Sequence, residues 1–188
     1  MKVRWLGNAA LEVFGDIHLL IDPNFTVEPT KEPDIILLTH EHDDHFSPSD
    51  HRKVGEQAEL YAPELSLEKF DVEGTAVEPG DEIGDIRVLQ SDCYGSDESV
   101  SYFYKGLLHA GDSAYFPEVD GVKTVFTACF PDYYDDYIDA FKRLEPEIVV
   151  PFHYDPEEDM DDASGLKDRL NEEDIPNKIL KQGEHIDI

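Results

Sequence analysis

Short apolar runs separated by turn residues fill the first part of the chain. Val3 to Leu6, Ala9 to Phe14 and Ile17 to Ile21 read as three strands, with Gly7-Asn8 and Gly15-Asp16 as the hairpin turns between them. Asp22-Pro23-Asn24 ends the third strand. Asp34-Ile35-Ile36-Leu37-Leu38-Thr39 is an apolar run bounded by Pro33 and a polar cluster, the pattern of a buried strand. Ser47-Pro48-Ser49-Asp50 opens a short helix, with the proline near its first turn. Leu60 to Ala62 predicts a strand and Pro63 to Phe70 a helix; strands follow at Thr75 to Val77, Ile86 to Gln90, Ser99 to Tyr104, Leu107 to Ala110 and Lys123 to Ala128. Asp132 to Leu144 is helical, Ile148 to Phe152 is a buried strand ending at His153, and Asp161 to Glu173 is a helix whose acidic first turn suits the helix dipole. Lys178 to Leu180 and His185 to Ile188 read as closing strands. Strands in runs, then strands alternating with helices, predict an α+β protein of layered sheets with helices outside. No repeat or linker interrupts the pattern, so residues 1–188 read as one domain.

Composition changes the picture in one respect. The chain carries 44 acidic and 15 basic residues, a formal charge of −29 on 188 residues. Such charge marks disorder when apolar residues are scarce. Here apolar residues make up 40% and aromatic residues 11%, and they fall in regular strands, so the expectation is a folded protein with a solvating acidic surface of the halophilic kind. Molar salt would screen the self-repulsion to within about 3 Å. The same surface excludes nucleic acid as a partner, because affinity there comes from Lys and Arg. Two cysteines, Cys93 and Cys129, make no disulfide framework, and no apolar run reaches the length of a membrane span. The chain is expected to be soluble and cytoplasmic, with no membrane partner; its oligomeric state is left open.

The chemistry concentrates in His40-Glu41-His42-Asp43-Asp44-His45, directly after the buried run. Three imidazoles and a carboxylate emerge from one strand end, and these are the usual ligands of zinc and its neighbours. The bland alternative is a solvated acidic loop, but three of the chain's eight histidines within six positions argue for metal. Two other apolar strands end in ligand-type residues: Leu107-Leu108-His109-Ala110-Gly111-Asp112, and Ile148-Val149-Val150-Pro151-Phe152-His153. Taken singly, Asp112 reads as a turn residue and His153 as structural. Three such strand ends together point to convergence at one edge.

With these residues in view, the chain resembles the metallo-β-lactamase superfamily. Thr39-His40-Glu41-His42-Asp43-Asp44-His45 is that superfamily's H-x-H-x-D-H loop. Gly7-Asn8-Ala9-Ala10, Ile21-Asp22-Pro23, His109-Ala110-Gly111-Asp112 and Val150-Pro151-Phe152-His153 follow in the expected order over nearly the whole chain. The short length, with Ile21-Asp22-Pro23 and His109-Ala110-Gly111-Asp112, looks most like the small metal-dependent hydrolases that include the ascorbate-6-phosphate lactonases. The resemblance implies a four-layer αββα sandwich with a two-metal site at one edge. It implies that His40 and His42 bind a first ion, that Asp44, His45 and His153 bind a second, and that Asp112 bridges them. Asp22 would orient a ligand imidazole.

One departure stands out. The superfamily supplies a third first-site histidine where this chain reads Gln90-Ser91-Asp92-Cys93-Tyr94-Gly95-Ser96. Tyr94 falls at the expected position by spacing, Asp92 or Cys93 could reach it, and the segment reads equally well as strand and turn alone. The second site is therefore expected to fill first. Asn8 also stands where the branch often has histidine. The expected function is that of a metal-dependent hydrolase using zinc, manganese or iron, one or two ions, to activate hydroxide against a lactone, ester or phosphoester of a small metabolite. Asp44 and Asp112 are the candidate catalytic carboxylates. The alternative is a binding or regulatory protein on a hydrolase fold with an incomplete first site. No G-x-S-x-G or phosphate-cradling loop competes. Specificity is expected in residues 25–33, 92–98, 114–122 and 154–162, with Phe25, Tyr94, Tyr115, Phe116, Phe130, Tyr133, Tyr134 and Tyr154 as candidate wall residues.

Overall fold

Strict alternation of side chains decides how the first strands pack. In the computed structural model, which describes residues 1–55, 57–113 and 115–188, strands β1 (Lys2–Gly7), β2 (Ala10–Phe14), β3 (His18–Ile21) and β4 (Ile35–Leu37) send Val3, Trp5, Leu11, Val13, Leu19, Ile21 and Leu37 into one core cluster. Ala10, Leu20 and Ile36, the neighbours between them, enter a second cluster on the opposite face. A sheet apolar on both faces must be covered on both, and it is. Helices α1 (Pro48–Val54) and α2 (Glu64–Phe70) cover one face, with Phe46, Val54, Leu67 and Phe70 packed against it. The second sheet covers the other.

The first sheet is completed by β5 (Glu59–Ala62), β6 (Thr75–Ala76) and the C-terminal β13 (His185–Asp187), in the order β13-β1-β2-β3-β4-β5-β6. The second contains β7 (Glu82–Ile83), β8 (Ile86–Gln90), β9 (Val100–Tyr104), β10 (Leu107–His109), β11 (Thr124–Thr127) and β12 (Ile148–Pro151), in the order β12-β11-β10-β9-β8-β7. Helices α3 (Tyr134–Leu144) and α4 (Met160–Glu172) cover its outer face through Tyr137, Ile138, Phe141, Ala163, Leu166 and Leu170. The layers run helix, sheet, sheet, helix, the α+β sandwich expected.

Both sheets are mixed, and the parallel parts position the site. Strands β3, β4, β5 and β6 are mutually parallel, as are β10, β11 and β12. Their C-terminal ends share one edge of the sandwich, where α/β sheets place ligands. Four contacts rivet the two sheets there. Tyr102 Oη donates to the Leu38 carbonyl (2.7 Å), and Val100 N to that of Thr39 (2.9 Å). His109 Nε2 lies 3.0 Å from the Ala9 carbonyl, and His153 N donates to that of Asn8 (3.0 Å).

The helix boundaries follow local chemistry. Ser47 caps α1 by accepting from Asp50 N (3.2 Å), with Pro48 in the first turn. Two strand assignments differ from the sequence reading. β7 was not foreseen, because two residues, one exposed and one buried, carry no readable period. Lys178 to Leu180 is not a strand: Asn177 makes a single bridge to Val149, and the chain then turns away toward β13. The loop expected over 114–122 begins at Ala114, outside the described residues; from Tyr115 to Val122 it is irregular. Among the described residues no helix is long and apolar enough to cross a membrane.

Candidate metal centre

Each sequence-derived site residue sits at the C-terminal end of a parallel strand or just beyond it. Asp22 follows β3, the loop from Thr39 to His45 follows β4, Asp112 follows β10, and His153 follows β12. Asp22 and His153 hold positive φ angles, +49° and +59°. Non-glycine residues in that region cost on the order of 1–3 kcal/mol and persist where the surroundings over-determine them. Gly111, at φ +59°, allows a close approach of a different kind: a Cβ there would meet Thr39 Oγ1 at 3.2 Å. The absent side chain lets the Asp112 loop close on the histidine loop.

Two overlapping groups result. Ligand atoms of Asp44, His45, Asp112 and His153 lie within 4.8 Å of one another, and so do those of His40, His42, Cys93 and Asp112. Asp112 belongs to both. Its Oδ1 is 3.0 Å from His45 Nε2 and 3.5 Å from His153 Nε2, and its Oδ2 is 3.7 Å from His40 Nε2. Asp44 Oδ2 lies 3.3 Å from His153 Nε2. All six sequence-derived ligands are therefore brought together. Of the three alternatives for the missing histidine, Cys93 is the residue delivered: its Sγ is 3.4 Å from His40 Nε2 and 3.9 Å from His42 Nδ1. Tyr94 is 90% exposed, and Asp92 is exposed as well.

Behind the ligands lies a buried hydrogen-bond frame. Asp22 Oδ2 is 2.8 Å from His45 Nδ1 and accepts from Thr39 Oγ1 (2.8 Å), while its Oδ1 accepts from Thr39 N (2.8 Å). Thr39 Oγ1 also reaches His40 Nδ1 (3.0 Å). The hydroxyl thus ties two imidazoles to one carboxylate. Sequence reasoning found Asp22 but missed Thr39, whose place just before the histidine motif was the available signal. His109 belongs to the frame, since its ring bonds the Ala9 carbonyl and Gly111 N rather than the cluster.

The electrostatics follow from burial and charge. Burial pushes His40 down to about 3, helped by the neighbouring His45, which leaves its imidazole neutral. Burial also works against charge on His45 and His153, but the carboxylates outweigh it and raise both: Asp112 and Asp22 beside His45, Asp112 and Asp44 beside His153. The contact with His153 leads in lowering Asp44 to about 2. Asp112 is desolvated, yet His45 and His153 hold it far below the carboxylate range. Burial, then Asp112 and Glu41, raise the Cys93 thiol to about 12. Among the described residues, His45 Nε2, Asp112 Oδ1 and His153 Nε2 make no aligned hydrogen bond, although Asp112 Oδ1 lies 3.0 and 3.5 Å from the two nitrogens. Convergent donor atoms left in this state are what a bound cation would satisfy.

A cavity of about 870 Å³ lies on the outer side of the loop carrying Cys93, lined by Asp92, Ser96, Asp97, Glu98 and Tyr115 among others, with no member of the two donor groups among its described lining residues. Two of the predicted specificity loops thus contribute to it. Of the aromatic candidates, Tyr115 lines the cavity, and the Phe130 ring stands 5.6 Å from that of His153. Phe25, Phe116 and Tyr154 are buried instead, with Tyr154 packed on Trp5.

Residues 2–153 match the family described as a beta-lactamase superfamily domain. A protein of Thermoplasma acidophilum named a metal-dependent hydrolase is 28% identical, spanning 82% of this chain and 83% of its own length. One of the same name from Nanoarchaeum equitans is 24% identical over all of both chains. A solved structure from Parabacteroides distasonis superposes with a TM-score of 0.78 at 21% identity, covering 97% of this chain and 93% of that one. The isothiocyanate hydrolase from Delia radicum gut bacteria superposes with a TM-score of 0.68 at 16% identity, covering 100% and 99%. At these identities the two structures speak to the fold.

Proposed function

The chain belongs to the beta-lactamase superfamily, and from that premise we propose that it is a metal-dependent hydrolase acting on a lactone, ester or phosphoester of a small metabolite. One observation carries the reading. Nε2 of His45, Oδ1 of Asp112 and Nε2 of His153 are buried and converge, with Asp112 Oδ1 3.0 and 3.5 Å from the two nitrogens, yet make no aligned hydrogen bond among the described residues. Imidazole and carboxylate together suit zinc, manganese or iron. The relatives named metal-dependent hydrolases support the same reading.

In this reading Asp44, His45, Asp112 and His153 would hold one ion and His40 and His42 another, Asp112 belonging to both groups of donors. Metal so held supplies a nucleophile at neutral pH and polarises the bond under attack. The chain's own residues do the rest. Asp22 and Thr39 keep the His45 proton on Nδ1, so that Nε2 presents a lone pair to the site. Asp44, its side chain 53% exposed, stands at the mouth and stays anionic at neutral pH. Its free oxygen can orient an incoming water and accept a hydrogen bond from it.

The alternative of a binding protein draws on Asn8 and on the histidine missing from residues 90–96; Cys93 bears on the second of these and leaves Asn8 standing. The test is elemental analysis of the purified protein together with hydrolysis assays on lactones, esters and phosphoesters. The expected result is bound metal and turnover, with turnover lost and the ion count reduced in His45→Ala and His153→Ala. A chain that binds no zinc, manganese or iron on reconstitution refutes the reading.

A further inference from the structure

We propose that Cys93 is itself a metal ligand, completing the position of His40 and His42 with sulfur and making it the more thiophilic of the two. The inference rests on the metal-centre reading above and deepens it.

A buried cysteine is usually a small hydrophobe, and the chain offers an internal comparison. Cys129 belongs to the main apolar cluster, with its Sγ 3.4 Å from the Phe152 carbonyl. Cys93 is as buried, at 5% exposure, but it belongs to neither apolar cluster. Its sulfur faces His40 Nε2 at 3.4 Å and His42 Nδ1 at 3.9 Å. With Asp112, these atoms all lie within 4.8 Å of one another. Two imidazoles, a thiol and a carboxylate form a four-membered donor set of the kind zinc takes.

The loop carrying Cys93 is held to both neighbouring ligand loops. Asp92 N donates to Ser113 Oγ (3.0 Å), one residue past Asp112. Ser96 Oγ donates to Glu41 Oε2 (2.6 Å), between His40 and His42. Ser96 N closes a turn onto the Cys93 carbonyl (3.2 Å), with Gly95 at φ +80° in the place where a type II turn needs glycine. That turn sends Tyr94 outward and Cys93 inward. These restraints place the sulfur independently of any metal.

Coordination breaks the Sγ–H bond heterolytically. The electron pair stays on sulfur and forms the bond to the divalent ion, and the proton passes to the buffer. Thiolate ligation favours zinc, cobalt or iron over manganese. The Asp44, His45, Asp112 and His153 position has only nitrogen and oxygen donors and discriminates less.

Cobalt(II) titration of the metal-free protein tests this, read by visible and near-ultraviolet absorption. The expected result is two ions per chain and a sulfur-to-cobalt charge-transfer band. In Cys93→Ser the band disappears, one ion remains, and the affinity of the other falls by more than the roughly 100-fold that outer ligand partners are worth. Cys93→His retains both ions without the band, and Cys129→Ser keeps the band. Circular dichroism and the retained ion show that the variants fold. Two bound ions with ligand-field bands but no charge-transfer band overturn the proposal and leave the metal centre standing. A band that survives in Cys93→Ser and vanishes in Cys129→Ser also overturns it. No bound cobalt at all overturns both this proposal and the proposed function.

Discussion

Replacing Asp22 by Asn is the sharpest test of the frame behind the metal ligands. The two side chains have the same shape, so the change is one of charge and hydrogen-bond polarity. Asp22 makes three contacts at 2.8 Å: Thr39 N to Oδ1, and Thr39 Oγ1 and His45 Nδ1 to Oδ2. Asn keeps the first if its carbonyl faces Thr39 N. Its amide then faces His45 and must donate to Nδ1, which moves the imidazole proton to Nε2, the atom directed at Asp112. Flipping the amide instead sets two donors, its NH₂ and Thr39 N–H, against each other. Two charge-assisted bonds worth about 1.5–3 kcal/mol each become neutral bonds of about 0.5–1.5, a net cost of about 2–3 kcal/mol. For a chain of this size that lowers the melting temperature by roughly 4–12 °C. The wrong tautomer separately weakens metal binding by about 10–100-fold. Chelator-competition titration gives the affinity, and thermal denaturation in excess chelator gives the metal-free stability. Thr39→Val is the control: it loses the hydroxyl but keeps the carboxylate on His45, so its affinity falls less. If Asp22→Asn is destabilised as expected yet binds metal as tightly as the parent, Asp22 does not set the imidazole and the argument fails.

Three further outcomes follow from other parts of the structure. Asp112→Asn removes the carboxylate common to both groups, so the metal content falls from two ions to one or none; two ions retained in elemental analysis would sink the shared-ligand reading. Glu12 is buried; desolvation raises its pKa, but bonds from His18, Thr30 and Arg4 outweigh this and hold it at about 2 instead of 4.5. A lowered carboxyl stabilises above its unfolded pKa, here by about 3 kcal/mol, and that stability is lost as pH falls from 4.5 toward 2. Glu12→Gln should flatten this part of the acid-denaturation curve, and an unchanged curve would count against it. The charge of −29 predicts a melting temperature that rises steeply with KCl even in chelator, as screening shortens from about 10 Å at 0.1 M to about 3 Å at 1 M. A flat series would mean that the acidic surface is not an adaptation to salt.

What could be read from the sequence was whatever depends on near neighbours. Short apolar runs and turn residues along Val3 to Ile21 are local signals, and the three strands they predict are present. The Ser47-Pro48 helix start is local chemistry too. The His40 to His45 loop could be found because a strand end presents adjacent residues together, and Asp112 and His153 because each ends an apolar run. What stayed hidden depends on which way a chain faces when distant segments meet. Spacing put Tyr94 at the vacant ligand position, but the turn closed by Gly95 and the bonds to Glu41 and Ser113 swing it into solvent and bring Cys93 inward. Thr39 read as the last residue of a strand, and only its contact with Asp22, from another strand, made it part of the site. Glu12 and His18 are buried because the loop carrying Thr30 and Glu32 closes over them, a contact between segments that no local pattern marks. Propensity and period act over a few residues, whereas a site is assembled across the gap between two sheets, where packing and hydrogen bonding choose the partners.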